Sequence, residues 1–494
     1  MTVDEIAHPL GIMALDAWLR RHGWNDNHLF DMRVKKETPE QILERVMPLA
    51  PDVIGLSALT IEKDTIHRLT KLIKERSPQT IVVIGGPYAT SSKASILRDQ
   101  CVDYVVVGEG EITFHELLEH LQAGRDLSWV QGLVYRRNGV VHETPARPTI
   151  QDLDELPFPS WDRIDMAAYE SCESIERFTG KPWAVFYTSR GCPFRCTYCH
   201  DVFGKKFRAR SPEKVVEEMQ LLHDRYGVRE FHFYDDIFNF EKERVLEICR
   251  LIQQKGMKIH LQFPNGVRAD MMDSELLHAM KDAGAFRLSY AIESASPRMQ
   301  KQTKKYLKIE KVAKLIEETD RLGILMHGFF MLGFPGETKE EMQATVDWAV
   351  HSRLHTAAFF LVTPFEGSPL SKEYVEPVAA LRGEEFHYYD SPHSLSEVPA
   401  DEVRKIQQQA YLRFYLDPLR IRRLWQLLPD RKVLLRWVPM YLRILLSGWK
   451  LHGNNENSFD HAPESVPAND APLVALGSKA RDLRASASER ASRA

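Results

Sequence analysis

The sequence predicts an α/β fold made of two successive parallel sheets. A doubly wound domain covers 1–125, and a hairpin and linker at 126–179 lead to a partial (β/α)6 barrel over 180–390. A C-terminal helical region at 391–452 and a disordered tail at 453–494 follow. Three observations carry this reading. Short apolar runs alternate with helical periodicity; the runs end in glycine or a turn; and the alternation starts afresh after the acidic, proline-bearing stretch Asp152-Leu-Asp-Glu-Leu-Pro-Phe-Pro159. Runs too short for a helix and without polar alternation read as strands buried on both faces of a parallel sheet.

In the front half these runs are Asp52-Val-Ile-Gly-Leu-Ser-Ala-Leu59, Thr80-Ile-Val-Val-Ile-Gly-Gly-Pro87 and Asp103-Tyr-Val-Val-Val-Gly-Glu-Gly110. Helices at 62–76 and 111–121 are expected to cover the two faces, giving a doubly wound, Rossmann-like sheet whose ligands belong at the carboxyl ends of the strands. Residues 133–142 read as a hairpin turning at Asn138-Gly139. The second series has strands at 183–189, 230–234, 258–263, 286–292, 324–332 and 356–362. Helices near 212–225, 241–255, 273–283, 309–322 and 338–352 separate them. Six strands separated by five helices suggest an open relative of the eight-stranded barrel, with function on the loops after the strands. Beyond 400 the pattern is helical. From 454 it is rich in Ser, Ala, Arg, Asn and Pro with almost no aromatic residues, the composition of a disordered tail.

Composition narrows the function classes. The chain of 494 residues has a net charge of −4, so its overall balance asks for no nucleic-acid partner. Six cysteines are sparse for this length. Cys101, Cys172 and Cys249 are scattered singly and read as small buried apolar residues, a usage that fits a reducing cytoplasm. No basic region followed by an apolar core marks a secretory signal, and no apolar run is long enough for a membrane span.

The other three, Cys192, Cys196 and Cys199, stand in Gly191-Cys-Pro-Phe-Arg-Cys-Thr-Tyr-Cys-His200, directly after the first strand of the second series. A C-x3-C-x2-C loop supplies three thiolates, one fewer than would fill every iron site of a cubane cluster, so one iron stays open. A zinc loop is the alternative. Structural zinc usually takes four ligands, commonly as two C-x2-C pairs, and no second pair exists here.

The cysteine spacing, Tyr198 before the last cysteine, and the place after a first strand resemble the radical S-adenosylmethionine (SAM) superfamily. The resemblance implies a 4Fe-4S cluster held by Cys192, Cys196 and Cys199, whose open iron chelates the amino and carboxylate groups of SAM. An electron from the cluster then splits SAM into methionine and a 5′-deoxyadenosyl radical. Later strand ends carry residues that a bound SAM would use. Asp235-Asp236 offers an acceptor for the ammonium group, and Arg268 a bidentate fork for the carboxylate. Glu293 suits the ribose hydroxyls, and Gly333, in Gly328-Phe-Phe-Met-Leu-Gly-Phe-Pro-Gly-Glu-Thr338, gives a turn close to adenine. Tyr198 completes the set. Taken singly these could be a helix cap, a surface pair and an ordinary turn. In order, Ala291-Ile-Glu-Ser294, Gly333-Phe-Pro-Gly-Glu-Thr338 and Thr363-Pro-Phe-Glu-Gly-Ser368 resemble the boxes of one radical SAM subgroup.

In that subgroup a cobalamin-binding domain commonly precedes the barrel, and residues 9–122 are similar to it. The matching elements are Pro9-Leu-Gly11, Ser57-Ala-Leu-Thr60, Gly85-Gly86-Pro87 and Gly108-Glu-Gly110-Glu111. Small residues at strand ends would let backbone approach the corrin and its nucleotide tail, with Ser57 and Thr60 bonding the tail. The alternative is a doubly wound domain that binds nothing. Two departures stand out. The strand that usually precedes the Pro-Leu-Gly helix is not seen: either it is lost, which leaves a sheet edge exposed, or the given start lies downstream of the true one. Ile6 stands where an Asp-x-His-x-x-Gly cobalt-ligating motif has its aspartate, so His8 is weighed as a cobalt ligand against a surface histidine in a frayed terminus.

The resemblance implies a cobalamin-dependent methyltransferase acting on an unactivated carbon or phosphorus of a small-molecule, lipid or natural-product substrate, reduced by a donor such as flavodoxin or ferredoxin. A cobalamin radical SAM cyclase or ring-rearranging enzyme is the alternative, and a cobalamin-binding module with an idle barrel is a third reading. Between Arg413 and Lys450 nine Lys or Arg and two acids, Asp417 and Asp430, interleave with Trp425, Trp437, Trp449 and leucines. That stretch reads first as a helical cap with solvated charges, and second as a peripheral contact with the inner membrane surface of the cytoplasm.

Overall fold

The computed structural model describes residues 6–172, 179, 182–374, 393–428 and the strand 472–476. They form two compact units, one of the described residues up to Cys172 with the strand Pro472–Leu476, the other of those from Thr179 to Leu428.

The front unit is a seven-stranded sheet. In chain order its strands are β1 (Asn27–Asp31), β2 (Val53–Ser57), β3 (Ile81–Gly85), β4 (Tyr104–Val106), β5 (Leu133–Arg137) and β6 (Val140–Glu143). The expected helices lie at Lys63–Arg76 and Gly110–Ala123, with others at Leu10–Arg21 and Pro39–Val46. β2, β3 and β4 pair in parallel. Their side chains alternate between two cores. Ile54, Leu56, Val82 and Ile84 pack with Ile42, Leu43, Ile66 and Leu69, while Val53, Val83 and Val106 pack with Ile12, Leu19, Phe114 and Leu117. Burial on both faces is why these strands read as unbroken apolar runs.

β5 and β6 form the expected hairpin, with both turn residues in the left-handed region (Asn138 φ 50°, Gly139 φ 76°), the twist a two-residue hairpin needs. The hairpin is not a separate segment between domains. β5 pairs antiparallel with β4 and extends the front sheet.

The exposed edge and the disordered tail are both corrected at one place. A strand from the far end of the chain, here β15 (Pro472–Leu476), lies between β1 and β2 and pairs antiparallel with both. A five-residue apolar run can satisfy two rows of backbone donors and acceptors at once, which a terminal composition rich in Ser, Ala and Arg conceals. The rest of 453–494 lies outside the described residues.

The second unit carries six parallel strands in the order β14-β13-β12-β11-β10-β7. These are β7 (Trp183–Phe186), β10 (Glu230–Phe233), β11 (His260–Val267), β12 (Ala285–Glu293), β13 (Leu325–Leu332) and β14 (Thr356–Leu361), with a short pair of β8 (Ser189–Arg190) and β9 (Arg208–Ala209) beside the first. Helices at Pro212–Tyr226, Lys242–Gln254, Ser274–Asp282, Ile309–Arg321 and Lys339–His351 follow the predicted alternation. An incomplete barrel leaves an open edge at β14, and the helix Ala400–Tyr415 closes it. Tyr415 and Tyr411 hydroxyls accept from the Ala357 and Phe359 amides (2.9 and 3.0 Å), and Gln407 Nε2 donates to the Phe359 carbonyl (2.7 Å). Side chains thus stand in for a seventh strand.

Candidate active site

The cysteine loop is positioned from three directions. Gly191 has φ 83°, and a Cβ there would lie 2.4 Å from the Lys206 carbonyl and 3.0 Å from that of Gly204, so only glycine lets the loop run against 203–206. Cys192 N–H donates to Gly204 O (3.3 Å), and Thr197 N–H to Thr303 O (3.1 Å). Leu370 N–H donates back to Thr197 O (2.9 Å). Cys196 is buried and Cys192 and Cys199 half-buried. Burial pushes the Cys199 thiol up to about 12, helped by Cys196.

Of the predicted SAM residues, Tyr198, Glu293 and Gly333 come together. The Tyr198 ring packs on Phe334, 5.7 Å between centroids. Its hydroxyl faces the Glu293 carboxylate, whose charge adds to burial in raising the phenol well above its usual range. Glu293 ends β12 with φ 68°. A left-handed conformation at a non-glycine residue is costly and collects at ligand sites. Gly333, with φ 95°, turns the chain after β13. Its amide and that of Phe334 both donate to Glu337 Oε2 (2.8 and 2.9 Å).

Asp235 and Arg268 are engaged differently from the expectation. Asp235 is buried, and its Oδ1 accepts from Thr188 N–H (3.0 Å), Thr188 Oγ1 (2.7 Å) and Ser189 Oγ, the residues that lead into the cysteine loop. Its neighbour Asp236 accepts from the Gly191 amide. Arg268 turns its fork to Asp270, with Nε 2.8 Å from Oδ1 and Nη2 3.2 Å from Oδ2. The guanidinium lies 3.6 Å over the Phe194 ring of the cysteine loop, and its amide donates to Asn239 Oδ1 (3.0 Å). Both residues hold the loop, one at its base and one on its flank.

Sequence reasoning missed two further features. Lys305 is buried with its Nζ 3.4 Å from Glu293 Oε1, and its carbonyl accepts from Arg268 Nη2. It lies twelve residues beyond the strand end that it serves, with no local pattern to mark it. One face of the strands is polar. His232 lies opposite Gln262 and Gln262 opposite Arg287, while Ser289, two residues on in the same strand, lies opposite His327 and His327 opposite Thr356. Burial, then the charge of Arg287, holds His327 well below the usual histidine range.

In the front unit the predicted residues lie at the carboxyl ends of β2, β3 and β4. Ser57 ends β2, and Thr60 opens a turn at Thr60–Glu62. Gly85 ends β3. A Cβ on Gly86 (φ 80°) would lie 2.5 Å from Ser57 Oγ. Gly108 has φ 82° and open space where a Cβ would go. Thr90 Oγ1 ties the two glycine ends together, accepting from Gly108 N–H (3.0 Å) and donating to Gly86 O (3.0 Å). Gly110 differs. Its Cβ would meet Leu15 Cδ2 at 3.1 Å, so it serves close packing on the helix Leu10–Arg21. His8 is not a surface histidine. It is buried, stacked on Tyr169 (4.5 Å) and edge-on to Trp161 (5.5 Å).

The Radical SAM superfamily profile matches residues 186–349, and the B12 binding domain profile residues 1–118. An uncharacterised methyltransferase of Pyrococcus horikoshii is 33% identical over 415 residues, 83% of this chain and 88% of that protein. The chain belongs to the cobalamin-binding radical SAM family. Cytidylyl-2-hydroxyethylphosphonate methyltransferase of Streptomyces wedmorensis is also 33% identical, over 380 residues, 69% of this chain and 71% of that one. Among solved structures, the cobalamin-dependent SAM radical enzyme OxsB with aqua-cobalamin and SAM bound has a TM-score of 0.69. It is 18% identical, with 98% of this chain and 76% of that chain covered, and shares the fold. A member of this family uses a 4Fe-4S cluster, SAM and cobalamin.

The residues present fit those groups. Three cysteines on one short loop suit a cubane, where each thiolate takes a different iron. Buried polar atoms without a hydrogen-bond partner, Asp235 Oδ2 and Glu337 Oε1, flank the loop and the glycine turn. Gly108 leaves open space at its strand end that a side chain would fill, and Gly86 admits the close approach of Ser57 Oγ that a Cβ would block.

Proposed function

We propose that this radical SAM enzyme is a cobalamin-dependent methyltransferase that methylates an unactivated carbon or a phosphorus atom of a small-molecule or lipid substrate. When bound, the cluster and SAM supply a 5′-deoxyadenosyl radical, and cobalamin supplies the methyl group. The protein's own work is to orient these groups and exclude water and oxygen. Cys192, Cys196 and Cys199 would hold the cluster, with Asp235 and Arg268 fixing the loop that bears them. Glu293, Lys305, Tyr198 and the Gly333 turn would receive SAM, the Lys305 ammonium meeting its carboxylate and Glu293 its hydroxyls. Ser57, Thr60, Gly85, Gly86 and Gly108 would receive cobalamin, with Gly110 keeping the last strand end against its helix. An external one-electron donor such as flavodoxin or ferredoxin would reduce the cluster.

The observation that carries the reading is the packing of Tyr198 between Phe334 and Glu293. It draws the cysteine loop and the ends of β12 and β13 to one point. Product analysis after anaerobic reconstitution with reductant, SAM and cobalamin tests it. S-adenosylhomocysteine together with 5′-deoxyadenosine is the expected outcome. Formation of 5′-deoxyadenosine alone would assign a cyclase, and neither product an idle barrel.

A further inference from the structure

The helix Pro418–Leu427 is built inside out. Its inward side carries Arg420, 1% exposed, beside Leu424. The guanidinium donates to the carbonyls of Phe414 (2.8 Å), Val350 (2.7 Å) and Ser352 (3.1 Å), at the carboxyl ends of the helices Ala400–Tyr415 and Lys339–His351. It lies 3.5 Å over the Phe414 ring. A cation suits the negative ends of two helices, so the charge is consumed inside.

The outward side carries the apolar residues. Leu419 is 68% exposed, Ile421 50% and Trp425 43%, with Leu416 at 58% in the turn before the helix. At 100° per residue, Ile421, Arg422 and Trp425 share one arc and Leu419 borders it. Four large apolar side chains on ten consecutive residues are not the scattered exposure of an ordinary surface. Arg422, exposed among them, supplies a cation at the same level. The following sequence, residues 429–450, adds five Lys or Arg against the single acid Asp430.

We propose that this helix lies on an anionic lipid bilayer, with Leu416, Leu419, Ile421 and the Trp425 indole entering the boundary between headgroups and acyl chains and Arg422 meeting lipid phosphates. The chemistry is that of an interfacial helix, in which apolar burial and attraction to anionic lipid add. The basic surroundings favour this occupant over a second copy of the chain, whose own Arg422 would be brought against its like. Among the described residues no helix is long and apolar enough to cross a membrane, so the contact proposed is peripheral.

The test is co-sedimentation of the full-length holoenzyme with vesicles of phosphatidylcholine alone or with phosphatidylglycerol. Binding to the phosphatidylglycerol vesicles is expected, with at least a tenfold loss in the variant Leu419→Ser/Ile421→Ser/Trp425→Ser. These side chains are exposed, so an unchanged melting temperature shows that the variant folds. Quenching by brominated phosphatidylglycerol, lost in Trp425→Phe, reports insertion without the triple change. No binding to anionic vesicles, or equal binding by the triple variant, overturns the proposal. A concentration-dependent dimer that the triple variant abolishes overturns it in favour of a second copy.

Discussion

At the ends of β2, β3 and β4 the front unit offers Ser57, Gly85-Gly86 and Gly108, whereas at the ends of β10, β11, β12 and β13 the barrel offers Asp235, Arg268, Glu293 and the Gly333 turn backed by Glu337. In both units these residues stand at the carboxyl ends of parallel strands, β2 to β4 within the mixed front sheet and all six strands in the barrel. One end is a shelf of backbone and hydroxyls, the other a set of buried charges. A bulky, rigid macrocycle needs room and close main-chain approach. A small zwitterion needs opposite charges held apart at fixed positions, and buried charges survive only when paired or hydrogen-bonded. Glu293 with Lys305 and Arg268 with Asp270 meet that condition.

The largest effect expected separates the two ends completely. Cys196→Ala removes one of the three proposed iron ligands and should abolish cluster absorbance and SAM cleavage, while cobalamin binding to the same protein, read from its visible spectrum, stays intact. Loss of both cofactors together would mean that the two ends are not independent. Next is Lys305→Met, which strands the Glu293 carboxylate. Charged hydrogen bonds contribute about 1.5–3 kcal/mol, so the KM for SAM should rise roughly ten- to a hundredfold with cluster content unchanged. A fall in cluster content instead would place Lys305 with the loop rather than with SAM.

On the other side of the comparison, Gly86→Ala forces a side chain into φ 80° and against Ser57 Oγ. A left-handed alanine costs about 1–2 kcal/mol, so cobalamin affinity should fall about tenfold, with SAM cleavage to 5′-deoxyadenosine retained. Unaltered cobalamin affinity would remove Gly86 from the shelf.

The two ends were unequally legible in the sequence. Strands buried on both faces announce themselves as apolar runs, and the cysteine spacing and glycine turns are local patterns, so the two sheets and the loop could be read directly. β1, Asn-His-Leu-Phe-Asp, is a polar strand whose sheet neighbour among the described residues is β15, more than four hundred residues away in the chain, and neither could be anticipated without the other. The protein partners of Asp235 and Arg268 were hidden for a related reason. Both stand at strand ends where a ligand belongs, but Thr188, Ser189, Asp270 and Phe194 reach them first, and such partners are known only once the strands are side by side. Lys305 has no pattern at all.

The smallest effect expected concerns Glu337, which holds the glycine turn by both amides. Burial pushes its carboxyl up to about 7, against an ordinary value of 4.5, although the Phe334 and Gly333 amides pull it down. A folded-state value above the unfolded one means that the native protein binds the proton more tightly. The contribution to stability is therefore full below about 4.5 and is lost as pH rises to about 7, beyond which it changes no further. At about 1.4 kcal/mol per pH unit the loss is about 3 kcal/mol at most. Glu337→Gln keeps an acceptor for both amides and cannot ionise, so its melting temperature should lack this decline. The difference between variant and wild type, near zero at pH 4.5, should grow up to pH 7.5. A difference that is flat over the same range would mean that the carboxylate is already ionised in the fold, its charge met at Oε1 by a partner such as water. The glycine turn would then be a charged end like that of β12.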